Sequence, residues 1–563
     1  MTPTRIPARV RLFRSQSTLL GLCLLSLPVQ KEPKISQRPA SGGSEALVPG
    51  VRPPGIPLNV VLIVLDDVGA DKLALYEETP PAGPAGCPVG LELPPPYPAT
   101  PRLDALARDG MRFDNFCVTP ICMTTRACLQ SGRYSCQTGF VGLSSAAGPC
   151  LDPDGLEECF KLSDREVFLA ELLRYGFSPE RTYRTGAFGK WHMAPRWNKS
   201  HAVDNGYQRF RGSIGNLRDH FRWSEVQHDE GHRPEFVEQT RWSASVVRER
   251  AVEWINARPG PFFAYVAFHP PHRPWQLPPT ELVSEATACE IAELEQSSGY
   301  AGEYLPGAYA FPEDPEPKIQ LFYRAMLESV DTEIGNLIDE IEPSKLLNTL
   351  IFVVSDNGTL GYAISAPPHD RQHGKGTVYR LGTRVPMIVS GPTIPPAPPG
   401  GWRCSELVGA VDLWRTIAAL TGADEGRAFE KLGISPAPEV ASVSFAPLLR
   451  HPGSQGARSW AFSQGFVPSG IVFPEGASYL ECLWAHDRAI TDGMFTYIRR
   501  QAPKQDPCEP RTYLDDELYL CSDLNEEHSL LDPVTGRAVE DAPIGAQEAL
   551  DFLREQMFWT SDD

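Results

Sequence analysis

Two polar pairs in this chain each close an apolar run. Asp66 and Asp67 end Asn59 to Asp67 (NVVLIVLDD), and Asp356 and Asn357 end the run inside Thr349 to Gly358 (TLIFVVSDNG). The four side chains offer only oxygen donors, a set that suits a hard cation such as Ca2+ or Mg2+ rather than a soft or borderline metal. Between them lies Thr119 to Arg133 (TPICMTTRACLQSGR), where Arg126 follows Cys122 at four residues and Ser131-Gly132-Arg133 closes the stretch. Arg126 to Gln130 can continue as a helix, which sets Cys122 at or just before a helix N-terminus. The free N–H groups and partial positive charge of that end suit an anion. A hard cation beside Cys122 would hold and polarise an anionic ester. Lys190 and His192 in GKWH, His272 in PHRP and Lys375 in KGT add cationic and acid–base groups. Singly, each is weak: a lone Asp pair is more often a solvated strand end, and a lone Lys or His an ordinary surface residue.

The elements that must position these groups read as an α/β pattern. Asn59–Asp67, Arg181–Phe188, Phe262–Phe268 and Thr349–Asp356 are apolar strands ending in polar residues, and they alternate with helices. That is the doubly wound class, a large mixed, mostly parallel sheet flanked by helices, with ligands held beyond the carboxyl ends of the strands. Helices are expected at Thr100 to Gly110, Arg165 to Gly176, Trp242 to Asn256, Tyr323 to Ile341 and Asp412 to Gly422, and a further strand at Val385 to Ser390. Proline at 270, 271 and 274 stops the third strand and fixes the loop carrying His272. Residues 200 to 240, with Arg218, His220, His228 and His232, are expected as substrate-facing loops, and 276 to 316 as an irregular Pro-rich insertion. From about 456 the strands shorten (Ala461 to Gly465, Ala489 to Arg499, Glu517 to Cys521) and the last twenty residues turn helical, a small C-terminal α+β subdomain. The expected organisation is 1–56 signal-like segment and Pro/Ser/Gly linker, 57–455 catalytic domain and 456–563 subdomain.

Charge and cysteine usage narrow the partners. The 563 residues carry a formal charge of −19, which opposes binding to a phosphate backbone and excludes nucleic acid. An anionic substrate then needs a local cationic pocket. Arg5, Arg9, Arg11 and Arg14 precede the apolar run Ser17 to Val29, which reads as an export signal and is too short for a stable membrane span. A periplasmic, secreted or lysosome-like location follows, with a soluble mature chain. Some of the thirteen cysteines are then expected as disulfides. Cys150 and Cys159, and Cys508 and Cys521, are close enough in sequence to pair, while Cys117, Cys128 and Cys136 crowd the central stretch. The lack of C-x-x-C argues against structural zinc.

In order, DD, C-x-x-x-R with a trailing SGR, GKWH, PHRP, SDNG and KGT…RVP resemble the type I sulfatase family, the formylglycine-dependent branch of the alkaline phosphatase superfamily. The resemblance covers roughly residues 57 to 450, and DELYLCSDLNEE resembles the family's usual ending. It implies that Asp66, Asp67, Asp356 and Asn357 bind a divalent cation, usually Ca2+, with Mg2+ the alternative. It also implies that a formylglycine-generating enzyme converts Cys122 to formylglycine, whose hydrate joins the metal sphere and attacks sulfur. Arg126 would steady the hydrate, Lys190 and Lys375 hold sulfate oxygens, His272 protonate the leaving alcohol, and His192 act as base in expelling sulfate. The expected substrate is a sulfated small molecule or carbohydrate. One position departs from the family's C-x-P-x-R: Thr124 replaces Pro. Conversion tolerates that change, or it fails and leaves a thiol, or Thr124 or Thr125 is the nucleophile, as Thr is in related phosphodiesterases. The corresponding alternatives are a phosphonate or phosphate ester hydrolase and an inactive relative that binds anionic glycans.

Overall fold

The sequence NVVLIVL has one physical home, a strand covered on both faces, and every residue of β1 (Asn59–Leu65) is buried. Its side chains alternate between two cores. Val60, Leu62 and Val64 join Leu129, Leu172 and Trp414 on one face, whereas Val61, Ile63 and Leu65 join Trp254, Phe322, Met326 and Val330 on the other. The first core holds residues of the helices Cys122–Ser131, Leu169–Tyr175 and Asp412–Thr421; the second, of Pro101–Asp109, Ser243–Asn256 and Pro317–Glu340. In this computed structural model the described residues are 57–76, 97–140, 161–178, 182–257, 260–298, 317–364, 369–467, 485–501, 514–523 and 526–559.

In chain order the other strands of the large sheet are β2 (Met111–Cys117), β3 (Arg184–Lys190), β4 (Arg209–Ser213), β5 (Trp223–Asp229), β6 (Glu235–Gln239), β7 (Phe262–Ala267), β8 (Thr349–Ser355), β9 (Met387–Ser390) and β10 (Trp402–Gly409). The ten lie in the order β10-β2-β9-β8-β1-β7-β3-β4-β5-β6. The central run β8-β1-β7-β3-β4 is parallel, and β9 runs antiparallel between β8 and β2. Register aligns Leu65 with Ser355, Val64 with Ala267 and Gly189 with Ala267. Asp66, Asp356, Lys190 and the His269–Pro274 loop therefore emerge at one edge, beyond the carboxyl ends of parallel strands, as the doubly wound class requires. β2 points the same way and delivers the chain to the helix Cys122–Ser131.

A smaller antiparallel sheet follows, β11 (Ala461–Val467), β12 (Ala485–Thr491), β13 (Phe495–Arg499) and β14 (Glu517–Leu520), paired in that order. Leu550, Leu553 and Met557 of the helix Ala546–Trp559 are buried with Tyr497 and Leu518 of this sheet. The stretch Ala489 to Arg499 is thus the end of one strand, a turn and a second strand.

Several expectations are corrected. Residues 200 to 240 are not loops: β4, β5 and β6 complete the sheet there, joined antiparallel and tied by Arg209 and Arg211 to Asp229. The insertion at 276 to 316 contains a 14-residue helix, Glu285–Ser298. The helix expected from Arg165 starts only at Leu169, and β3 runs on to Lys190, so that lysine is the strand's last residue rather than a loop residue. Cys521 is a buried free thiol 3.5 Å from the hydroxyls of Thr491 and Thr496. Cys150, Cys159, Cys508 and the signal-like segment lie outside the described residues. Among the described residues no helix is long and apolar enough to cross a membrane.

Candidate active site

Cys122 is the first residue of its helix, after Ile121 in extended backbone. No side chain at Ile121 caps this end, and the first turn is locked from Thr119 instead. The Thr125 hydroxyl donates to the Thr119 carbonyl (3.0 Å) and accepts from the Thr119 N–H (3.1 Å), while the Thr124 hydroxyl donates to the Ile121 carbonyl (3.0 Å). The Thr119 hydroxyl lies 2.5 Å from that of Thr124 and 2.7 Å from that of Thr125. All three are buried. These side-chain bonds tie the first turn of the helix back to the extended segment before it. Thr124 and Thr125 are engaged in this lock, whereas Cys122 Sγ sits 3.2 Å from His192 Nδ1. One ligand atom each from Asp66, Cys122 and Asp356 lie within 4.8 Å of one another.

The oxygen set is dry. Asp66, Asp356 and Asn357 are fully buried and Asp67 nearly so. Asn357 Nδ2 donates to Asp67 Oδ1 and to the Gly358 carbonyl, both at 2.9 Å, and this leaves Asn357 Oδ1 without a donor. Asp66 Oδ1 is likewise buried and without a donor. Unpartnered buried acceptors are costly and rare. A divalent cation would satisfy both, and the all-oxygen chemistry fits a hard one. Asp67 adopts a left-handed backbone (φ 68°), as does His192 (φ 60°), a conformation that costs about 1–3 kcal/mol for a residue with a side chain. Tyr323 from the helix Pro317–Glu340 donates to the Asp67 carbonyl at 2.7 Å and Asp356 accepts the Asp67 N–H at 3.3 Å, which together hold that turn.

Three cations, Arg126, Lys190 and Lys375, and two imidazoles surround the set. The Arg126 guanidinium bonds Asp356 and also donates to the Lys190 carbonyl at 2.6 Å, tying helix, β8 and β3 together. Lys190 contacts Asp66 and Lys375 contacts Asp67. Burial opposes the charge of Asp66, but Lys190, Arg126 and Lys375 outweigh it and hold the carboxyl below its ordinary value. Burial and the neighbouring Asp66 push Asp356 up. Burial also pushes the Cys122 thiol up despite the two lysines, so an unmodified Cys122 is a protonated and weak nucleophile. Burial, then Lys190 and Arg126, keep His192 neutral. His272 is held down by burial and Lys190; its Nδ1 pairs with the Arg273 carbonyl at 2.6 Å, leaving Nε2 for the pocket. One ring nitrogen of His272 lies within 4.8 Å of carboxylate oxygens of both Asp66 and Asp67.

All ten residues singled out in the sequence thus converge on one strand-end pocket. His220 does not face substrate. It is buried, donates from Nε2 to the His272 carbonyl (2.9 Å), accepts at Nδ1 from Ser243 (3.1 Å) and gives its N–H to Gln276 (2.6 Å), so it braces the His272 loop. His228 Nε2 pairs with the His232 carbonyl at the sheet edge. Tyr323 and His220 as a brace escape sequence reading, because their partners lie in other elements. For Thr119 the one signal was its spacing of five and six residues from Thr124 and Thr125 across a helix start.

A doubly wound sheet that gathers buried oxygens, two lysines and two histidines round the first residue of a helix has groups that could hold a metal ion and an anionic ester together. The Sulfatase family profile matches residues 58–423, and the chain belongs to that family, a sulfuric ester hydrolase by class. It is 24% identical over 430 residues to N-acetylgalactosamine-6-sulfatase of Sus scrofa, covering 71% of this chain and 69% of that protein. It is 25% identical over 374 residues to an arylsulfatase of Klebsiella aerogenes, covering 59% and 74%. The chain spans 62% to 69% of the length of the mammalian N-acetylgalactosamine-6-sulfatases it matches. In fold it is similar to Ps i-CgsB, solved in complex with k-i-k-neocarrahexaose (TM-score 0.58, 21% identity, 90% of this chain and 93% of that one).

Proposed function

We propose that the protein hydrolyses a sulfate monoester of a carbohydrate to alcohol and inorganic sulfate, using formylglycine made from Cys122 by a formylglycine-generating enzyme. The observation that carries this reading is the 3.2 Å contact of Cys122 Sγ with His192 inside the buried carboxylate and lysine cluster. Asp66, Asp67, Asp356 and Asn357 would hold Ca2+, which lowers the repulsion between these carboxylates and an incoming sulfate and polarises its S–O bonds. Formylglycine supplies an aldehyde hydrate as nucleophile where the buried thiol is a weak one.

The chain's own groups do the rest. Lys190 and Lys375 leave their aspartates for the sulfate oxygens and neutralise charge there, in a site too dry for water to do so. Neutral His192 takes a proton at Nδ1 from the group at position 122. His272 approaches the ester oxygen with Nε2. A bound anion would favour a proton on that ring, and a proton held there would pass to the leaving alcohol. Arg126 keeps Asp356 and the Lys190 backbone in place throughout. The sugar class rests on relatives named N-acetylgalactosamine-6-sulfatase. Export through the N-terminal segment and a catalytic domain of 57–455 followed by a 456–563 subdomain belong to the same reading.

Turnover of phenyl sulfate and phenyl phosphate by one preparation tests it. A preference for sulfate is expected, and a clear preference for phosphate overturns it.

A further inference from the structure

The loop that leaves His192 carries Arg196 and Trp197, both exposed, and then Lys199. Trp197 keeps 57% of its surface in solvent, although tryptophan is on average a highly buried residue. Phe236 on β6 is equally open at 56%, and Lys199 Nζ stands 5.6 Å over its ring.

This strip begins at the pocket itself. Gly215 lies between the Arg196 side chain and the His192 ring: a Cβ at Gly215 would meet Arg196 Nε at 3.5 Å and His192 Cδ2 at 3.7 Å. Arg196 Nη2 donates to the Asn216 carbonyl at 2.5 Å, and the backbone N–H of His192 donates to the Ile214 carbonyl at 2.8 Å, so the Arg196 side chain and the His192 backbone are both fixed to the segment that follows β4. His192 in turn contacts Cys122. From Arg196 the strip continues to Lys199, close enough to feel the Arg196 charge, and on to Phe236, while the exposed Trp197 directly follows Arg196 in the chain.

Cations beside open aromatic faces on a chain of charge −19 complement a ligand that is anionic yet has apolar C–H faces. An extended sulfated saccharide has both features. We propose that Arg196, Trp197, Lys199 and Phe236 form a subsite for the sugar units adjoining the sulfated one, so that an anionic oligosaccharide binds more tightly than a lone monosaccharide or an aryl sulfate. The proposal rests on the sulfatase reading of the neighbouring pocket.

The test is direct binding of chondroitin 6-sulfate tetrasaccharide by calorimetry in a Cys122→Ala background, with and without Trp197→Ala. Turnover of 4-nitrophenyl sulfate by the parent chain and by Trp197→Ala alone is measured alongside. Trp197→Ala is expected to weaken tetrasaccharide binding about threefold to tenfold, and Trp197→Phe to keep most of the affinity. The KM and kcat for 4-nitrophenyl sulfate should stay unchanged in both Trp197 variants. The proposal is overturned if the tetrasaccharide does not bind, if Trp197→Ala leaves its affinity intact, or if an acidic peptide of equal charge binds as well. A parent chain that binds the tetrasaccharide through Trp197 but turns over no sulfate ester would sink the sulfatase reading while supporting the subsite.

Discussion

Arg126 meets Asp356 Oδ2 through both Nε, at 2.8 Å, and Nη2, at 2.7 Å, with neither side chain exposed. Only a guanidinium can donate from Nε to that oxygen, hold Nη2 in ion-pair contact with it and reach the Lys190 carbonyl with Nη1, all from one rigid plane. Breaking a buried pair leaves an uncompensated charge and costs about 3–5 kcal/mol. Arg126→Met is therefore expected to lower the unfolding free energy measured in urea by an amount in that range, with a lower midpoint, and to abolish sulfate ester turnover. A midpoint within experimental error of the parent would contradict the structural role given to Arg126.

Thr124 occupies the third position of the helix Cys122–Ser131, inside the first turn, where the backbone N–H has no intrahelical partner. Proline is tolerated there. Thr124→Pro should change stability by no more than about 1 kcal/mol, because the lost bonds to Thr119 and Ile121 are offset by the fixed φ of proline. Thr119→Val removes a hydroxyl that meets both threonines and should cost about 1–2 kcal/mol. Adding Thr124→Pro to Thr119→Val should cost less than the sum of the two changes, since the lock is shared. Thermal unfolding of the four proteins measures this; strict additivity would dissolve the lock.

Much of this was legible in the chain before any coordinates. NVVLIVLDD and TLIFVVSDNG are continuous apolar runs that only doubly covered strands accommodate, and the polar residues after them must fall at the strand ends. RFRGS, WSEVQHD and EFVEQ gave no such signal. These sheet-edge strands mix buried and exposed positions, and pairing partners rather than apolar patterning hold them. His220 also looked like a pocket residue because a lone histidine carries no pattern. Its partners Ser243, His272 and Gln276 come from other parts of the chain. The left-handed backbone at Asp67 and His192 was equally out of reach, since neither is a glycine.

Metal removal should be visible without any assay of turnover. The unpartnered oxygens of Asp66 and Asn357 predict that chelator-treated protein gains stability from added Ca2+, by about 2.7 kcal/mol at a concentration one hundred times Kd. Asp66→Asn should abolish the gain. Melting curves that do not respond to Ca2+ or Mg2+ would refute the oxygen site.

A fall in stability on mild acidification is expected from His201. The Trp191 indole donates to its Nδ1 at 2.9 Å and its Nε2 pairs with the Leu162 carbonyl at 2.8 Å, an arrangement for the neutral ring. Burial holds its pKa below the ordinary 6.5. The unfolded chain therefore binds more protons just below that value. The stabilisation is complete above pH 6.5 and is lost as pH falls from there toward the folded value. His201→Gln should flatten this part of the profile. Urea midpoints at intervals from pH 7.5 to 5 test it, and parallel profiles for parent and variant would contradict it.

The most direct measurement is peptide mass spectrometry across Thr119 to Arg133 on protein purified from its native host. The account predicts formylglycine at position 122 although Thr124 stands where the family pattern has proline. An unmodified Cys122 thiol in protein that nevertheless hydrolyses sulfate esters would contradict it.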